Sequence, residues 1–512
     1  MRLSSWLRSP RSLFVPSGTK KNRSTRLRQR AMAAQLSLEW LEDRTVPSTF
    51  MVQNLADSGP GSLQQAILNA NANPGADVIR FAPGARDGVI TLTGGQLSIT
   101  DDLTIDGPGA DRLAVSGNDA SRVFQISIGV AASIDGLTVT HGHGLLRGGG
   151  ILNSGTLALS HAVVSDNQVV GLPGVGAAVD AFGGGILNTG TLTVLHSTFV
   201  HNQAIGGAGA PGGPGSTGLG GAIMSVGSAS APATATVSHS TFLDNQAIGG
   251  AAGVGAPFTR SGLGGAIMND AGAFTVSQSV FHDNEAIGGA GGGFPGGFGA
   301  GGAIANVALF GDAILSVSHS MLTDNRAVGG AAGTGTSPQI GQGGGIANFV
   351  AGVAPLPVTV TATATVTHST LLGNQAIDGA ATGGNGGTGQ GGGITNENGG
   401  ILTVTQSALI GNLAIGGAGG LGGNGGNGLG GGVFNGAPNP FGTPSLTLLG
   451  SVVTLNRADG GAAGIGGSAG QGQGGGLYLT PGGVAFADLL TAILANHAST
   501  SDDDVFGDLG GP

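Results

Sequence analysis

The chain has 512 residues, of which 107 are Gly, 21 are Pro and none is Cys, and only 9% are charged. So much Gly and Pro means disorder unless a repeat organises it, the lack of Cys excludes a disulfide framework, and no run of 18 apolar residues offers a transmembrane helix. Residues 45–512 hold 8 basic and 25 acidic groups, a formal charge of −17, and the chain is 4% aromatic, which disfavours nucleic acid by repelling phosphate and offering few stacking platforms.

Residues 1–48 stand apart. Ten of the 18 Lys and Arg lie between Arg2 and Arg44, and no Lys follows Lys21. The apolar stretches Leu13 to Val15 and Ala31 to Ala34 are too short for an ordinary h-region, so the segment reads as a basic export or processing leader outside the packed body. A secreted or cell-surface location follows as the expectation, with association with a bacterial outer membrane as one form of it.

Residues 49–147 read as an amino-terminal cap and first coils. Ser62-Leu63-Gln64-Gln65 is a capping-box pattern, and Leu63, Ala66, Ile67 and Ala70 share one helical face until Pro74. Strand-like runs follow at Val89 to Thr93, Leu97 to Thr100, Leu103 to Asp106, Leu113 to Ser116 and Val123 to Ile126.

From 148 to 498 a pattern recurs nine times: small residues leading into an aliphatic one, at Ile151, Ile186, Ile223, Ile267, Ile304, Ile346, Ile394, Val433 and Leu477, with gaps of 35 to 48. A variable period in that range marks a solenoid whose loops absorb the variation. Each repeat also carries an Asn: Asn167, Asn202, Asn245, Asn284, Asn325, Asn374, Asn412, Asn456 and Asn496. Six residues before the first eight stand His161, His196, His239, Gln278, His319, His368, Gln406 and Gly450. The fixed spacing makes this cassette the structural unit, and period-two alternation, as in Thr234-Ala235-Thr236-Val237-Ser238, makes its segments strands. Three short strands per repeat and about eleven coils build an all-β, right-handed parallel β-helix, with residues 499–512 as a carboxy-terminal tail.

The connectors, such as Gly206 to Gly218 and Gly416 to Gly432, read as flexible or loosely stacked Gly loops on one side of the rod. They lack the strict Gly period of collagen and the Asp of calcium-binding nonapeptide repeats. The His/Gln column and the Asn column read as structural hydrogen-bonding ladders, since Gln278, Gln406 and Gly450 would interrupt a chain of metal ligands. Asp244, Asp283 and Asp324, each just before a cassette Asn, would stand about 5 Å apart in register. That spacing suits calcium, or a raised carboxyl pKa; the competing reading is Asp capping solvated turns.

The paired motifs Gly264-Gly265-Ala266-Ile267 and Phe242-x-x-Asn245 or Phe281-x-x-Asn284 resemble the repeats of polymorphic outer membrane proteins, within the pectin-lyase-like β-helix group. Ser58-Gly59-Pro60-Gly61-Ser62-Leu63 and Leu103-Thr104-Ile105-Asp106-Gly107-Pro108-Gly109 resemble the amino-terminal cap of bacterial secreted β-helix proteins, and Leu41 to Ser48 their leader segments. The resemblance implies the β-helix fold and a surface role. Polymorphic proteins usually end in a membrane β-barrel, for which 16 residues after Asn496 leave no room.

The fold also hosts polysaccharide lyases and hydrolases. Gly142-His143-Gly144 matches one element of a polygalacturonase-like site, but no downstream Lys completes the set. No catalytic residue or cofactor is therefore assigned, with calcium the one ion the Asp column suits. The reading is a non-enzymatic structural or adhesive module whose partners are cell-surface glycans or surface proteins; the alternative is a polysaccharide-binding or polysaccharide-cleaving β-helix using the Asp column.

Overall fold

The computed structural model describes residues 47–510 apart from 173–178, 257–259, 293–294, 333–339, 352–359, 380, 382 and 437–441. Of the leader, residues 1–46 lie outside the described residues, and Ser48 N donates to Asp77 Oδ1 at 2.8 Å. Residues 45–512 form one compact unit, a parallel β-helix.

One repeat shows how the chain winds. Ile186–Asn188, Thr191–Leu195, Thr198–Val200 and Gln203–Ile205 follow one another as strands, a Gly-rich arm leaves and returns, and Gly218–Leu219 leads into Ile223–Val226 one coil further on. Each position pairs in parallel with its counterpart in the next coil, giving five sheets. The first has thirteen strands, from Thr49–Val52 to Val484–Ala487; the second has twelve, from Gly88–Thr91 to Ala492–Leu494. A third of twelve runs from Leu97–Ile99 to Val505–Phe506, a fourth of ten from His143–Leu145 to His497–Ala498, and a fifth of eight from Ala181–Phe182 to Gly472–Gln473. A full repeat thus has five strands rather than three, because the corner Asn and the returning arm each start another one.

Register follows the sequence landmarks. Ile186 pairs with Ile223, Ile223 with Ile267, Ile267 with Ile304 and Ile304 with Ile346, and none has exposed surface. Together with Val194, Val237, Val276 and the stacked Phe199, Phe242 and Phe281 they form one continuous core. The amino-terminal end is covered by the helix Leu63–Asn71, whose Ser62 Oγ accepts from Gln65 N at 3.1 Å and which buries Leu63, Ala66, Ile67 and Ala70. Segment 499–512 is not all tail: Val505–Phe506 adds the last strand of the third sheet.

The Gly-rich connectors differ from the expectation of loose loops. Between the last two arms, Gly416, Gly419, Gly422, Gly425 and Gly428 donate to the carbonyls of Asp459, Ala462, Ile465, Ser468 and Gln471 at 2.8–2.9 Å. A donor at every third residue is the periodicity of a left-handed three-residue helix. Each arm also bonds to itself and to the arm before it, as in Gly426 N to Gly417 O and Gly461 N to Gly426 O. Only Gly permits this approach: a Cβ on Gly423 would stand 1.7 Å from the Gly384 carbonyl oxygen. The returning arms form the fifth sheet, and its Leu219, Leu263 and Ala300 cover the outward Leu187, Met224, Met268 and Ala305 of the third, a second, smaller core.

Candidate functional site

Two corners flank the short second sheet, and both are built on left-handed backbone. The first holds His161, His196, His239, Gln278, His319, His368, Gln406 and Gly450, with φ between 44° and 53°. The second holds Asp166, His201, Asp244, Asp283, Asp324, Gly373, Gly411 and Leu455, with φ between 51° and 65°. Left-handed conformation costs an L-residue roughly 1–2 kcal/mol and Gly almost nothing, which is why Gly replaces Asp or His in both columns.

At the first corner the imidazoles adjoin: His161 stacks on His196 at 5.5 Å between centroids and His319 on His368 at 4.8 Å, while His196 and His239, 4.8 Å apart, are tilted by 41°. Asp135 holds the first of them, its Oδ1 lying 2.8 Å from His161 Nδ1. Burial raises the Asp135 carboxyl, but bonds from Ser160 and His161 outweigh it and leave the group below the usual carboxylate range. The residue after each corner is a further link: Ser240 accepts from Ser197 N and Ser279 from Ser240 N, at 3.2 and 3.1 Å.

The cassette Asn residues point inward. Asn167 Nδ2 donates to Asn202 Oδ1, Asn202 to Asn245, Asn245 to Asn284, Asn284 to Asn325 and Asn325 to Asn374, each at 2.9 Å. Asn374, Asn412, Asn456 and Asn496 continue the series at the same distance. Gly142 N opens it by donating to Asn167 Oδ1 at 2.8 Å, which gives the first Gly of Gly142-His143-Gly144 a structural task.

A second Asn series went unread in the sequence. Asn153, Asn188, Asn269, Asn306, Asn348, Asn396 and Asn435 lie two residues after the aliphatic landmarks, and Asn269 to Asn306 to Asn348 to Asn396 bond at 2.8 Å. The signal was the fixed offset of two from Ile or Val. It breaks at Ser225, whose Oγ accepts from Asn188 at 3.1 Å while Asn269 Oδ1 is buried with no partner.

The Asp column is interleaved with imidazoles. His201 lies 3.4 Å from Asp166 and 3.7 Å from Asp244, and His282 lies 3.0 Å from Asp283 and 3.7 Å from Asp324. These carboxylates are about half exposed. Among the described residues no three His, Cys, Asp or Glu side chains converge to hold a metal ion. The same corner opens into a groove of about 490 Å³ lined by Asp119, His141, His143, Asp166, Asn167, Gln168, His201 and Gln203. Gln168 Nε2 bonds Gln203 Oε1 at 3.1 Å along its floor, and His141 Nδ1 lies 2.9 Å from Thr140 Oγ1. The lining is planar and polar, and its amides, imidazoles and carboxylates can hydrogen-bond a polyhydroxylated ligand from both sides.

Three acids lie elsewhere, inside the rod. Burial raises Glu397 to about 8 against a bond from Gln342 Nε2 at 2.8 Å, and raises Asp378 to about 7 and Asp270 to about 6 against backbone donors. None of the three lines the groove.

No protein-family model matches the chain, and no curated protein matches it. Among solved structures it is similar to the catalytic domain of a GH87 alpha-1,3-glucanase in complex with tetrasaccharides, at 11% identity and TM-score 0.28, over 82% of this chain and 66% of that one. It is also similar to a mannuronic acid specific polysaccharide family 6 lyase from human gut microbiota, at 10% identity and TM-score 0.26, over 70% of this chain and 82% of that one. The chain thus spans just under two thirds of the glucanase domain, and neither likeness carries a functional inference.

Proposed function

We propose that this protein is a secreted or cell-surface β-helix that binds a polysaccharide along its Asp/His corner and does not cleave it. The observation that supports this most is the Asp119 to Gln203 groove, whose eight lining residues are all polar and whose carboxylate Asp166 is engaged by His201. Cleavage by general acid and base needs two groups in environments that drive their pKa values apart. The acids of this molecule that burial displaces furthest, Glu397 and Asp378, line no part of the groove. A solenoid repeats a similar spacing coil after coil, which suits an elongated ligand with a repeat of its own. The motif resemblance to polymorphic outer membrane proteins is in keeping with such a surface role.

The test is a titration of neutral and acidic polysaccharides against wild type and a Asp166→Ala/Gln203→Ala variant, with reducing and unsaturated ends assayed in parallel. Saturable binding that the double variant loses, with no new ends released, is the expected result. Release of sugar ends by the wild type would replace binding with catalysis.

A further inference from the structure

Positive charge is scarce in this rod and is gathered at one place. Residues 45–512 hold 8 basic groups, and three of them, Arg80, Arg86 and Arg112, line a single pocket of about 240 Å³ near the amino-terminal end. Arg80 stands on the exposed face of the strand Asp77–Phe81, in register with Asp106 of the neighbouring strand. Arg86 follows the short turn Pro83–Ala85, and Arg112 precedes the strand Leu113–Ser116. All three are held and still reachable. Arg112 Nε and Nη2 donate to Asp87 Oδ1 and Oδ2 at 2.7 and 2.8 Å, Arg80 Nε donates to Asp106 Oδ2 at 3.0 Å, and Arg86 Nε donates to the Phe81 carbonyl at 2.9 Å. These bonds leave both terminal amino groups of Arg80 and of Arg86 without a hydrogen-bond partner among the described residues. The Arg80 and Arg112 side chains keep 57% and 42% of their surface exposed, and Arg86 is exposed as well.

A guanidinium presents its N–H groups as a planar fork that matches the oxygens of a carboxylate or sulfate, and a fork already tethered through Nε loses less freedom when it closes on one. We propose that the pocket binds one monoanionic oxyanion group, the carboxylate of a sugar acid or the sulfate of a sulfated sugar, through the terminal amino groups of Arg80 and Arg86. Charge decides against a dianion. Three guanidiniums against Asp87 and Asp106 leave one net positive charge, and the exposed Asp111 beside Arg112 opposes any further negative charge. Pro108 gives the pocket an apolar edge against which the body of a sugar ring can lie. That the oxyanion is carried on a sugar rests on the polysaccharide reading above; the pocket itself does not, since none of its residues lines the Asp/His groove.

The experiment is ligand-observed NMR on the full chain with galacturonate, a sulfated galactose and methyl galactoside, with inorganic sulfate as competitor and thermal melts alongside. Wild type is compared with Arg80→Gln, Arg86→Gln, Arg260→Gln and Asp166→Ala/Gln203→Ala. Arg260→Gln removes the same charge from an exposed position outside the pocket. At least one of the acidic sugars is expected to bind and methyl galactoside not to. Arg80→Gln and Arg86→Gln should each weaken that binding about five- to tenfold without lowering the melting temperature, and the other two variants should leave it unchanged. No binding of either acidic sugar, equal binding of methyl galactoside, or an equal loss in Arg260→Gln overturns the inference. Inorganic sulfate that competes as well as the sulfated sugar binds overturns the sugar and keeps the oxyanion. If the pocket holds acidic sugars while no polysaccharide binds, the groove reading alone fails; if polysaccharide binding is lost only in the Asp166→Ala/Gln203→Ala variant and neither arginine variant matters, the pocket alone fails.

Discussion

Asn202 Nδ2 donates to Asn245 Oδ1 at 2.9 Å across 43 residues of sequence, and Asn245 Oδ1 also accepts from Asn202 N at 3.0 Å. One buried amide therefore satisfies both the side chain and the backbone of the coil before it. Asn245→Ala strands Asn202 N, while Asn202 Nδ2 keeps Val164 O and Asn284 Oδ1 keeps the Asn245 N–H. An unsatisfied buried group costs about 1–3 kcal/mol, so the variant should lose roughly 1–3 kcal/mol in denaturant unfolding. A loss under about 1 kcal/mol would mean that the series is packed but not bonded.

The gap at Ser225 gives the opposite sign. Asn at this position can accept from Asn188 and donate to the unpartnered Asn269 Oδ1, joining the two halves of the second series. Ser225→Asn should raise stability by about 1–2 kcal/mol, read as a higher melting temperature. A drop would show that the coil there has no room for the longer side chain.

Acidity should stabilise the rod. Glu397, Asp378 and Asp270 all have folded pKa values above their unfolded ones of 4.5, 3.8 and 3.8. At these three sites the native state therefore holds more protons than the unfolded chain, and their contribution is complete in mild acid and lost as pH rises. For Glu397 the window runs from about 4.5 to about 8. Glu397→Gln removes that titration and should melt higher than wild type at pH 8, by a difference on the order of a few kcal/mol that fades toward pH 4. Parallel stability curves for the two proteins across this range would refute the assignment.

The glycine arms should be intolerant of a single methyl group. Gly423→Ala places Cβ 1.7 Å from the Gly384 carbonyl oxygen, against backbone that cannot swing aside, whereas Ala418→Ser changes an exposed position. Hydrogen exchange of the arm amides should accelerate at least tenfold in the first variant and stay unchanged in the second. Equal exchange in both would return the arms to the class of loose loops.

Calcium should matter little. His201 and His282 stand between the carboxylates of the Asp column, so wild type and the Asp244→Asn/Asp283→Asn/Asp324→Asn variant should show the same small melting shift in millimolar calcium, and chelator should leave the wild type unchanged. A large shift confined to the wild type would make the column a cation site.

The winding was legible because repetition multiplies weak signals: Ile186, Ile223, Ile267 and Ile304 each say little alone, and in phase they fix the register. The arms were not legible, since composition reports the flexibility of Gly in isolation and not the close approach Gly allows between neighbours. At the corners, the His/Gln column read as a hydrogen-bonding ladder and the Asp column as a calcium site or turn caps, although both columns also admit Gly, at Gly373, Gly411 and Gly450. The backbone reverses that order: left-handed φ comes first, and the side chains are what it tolerates. The groove drew in Asp166 and, from Gly142-His143-Gly144, His143, but its partners Asp119, His141 and Gln203 come from separate coils, and only the superhelix brings them together.

The inward amides all point one way. From Asn167 to Asn496 every oxygen faces the preceding coil and every Nδ2 the following one, so their dipoles add along the axis. The negative pole meets the Gly142 N–H, and the positive pole meets Asp504, whose Oδ1 accepts from both Asn496 Nδ2 and Asn496 N at 2.9 and 3.1 Å. The rod is a polarised filament with a counter-charge at its carboxy-terminal pole, much as an acidic residue complements the positive end of a helix. Each coil added to such a filament meets a field already set by those before it, which favours one direction of stacking over the other.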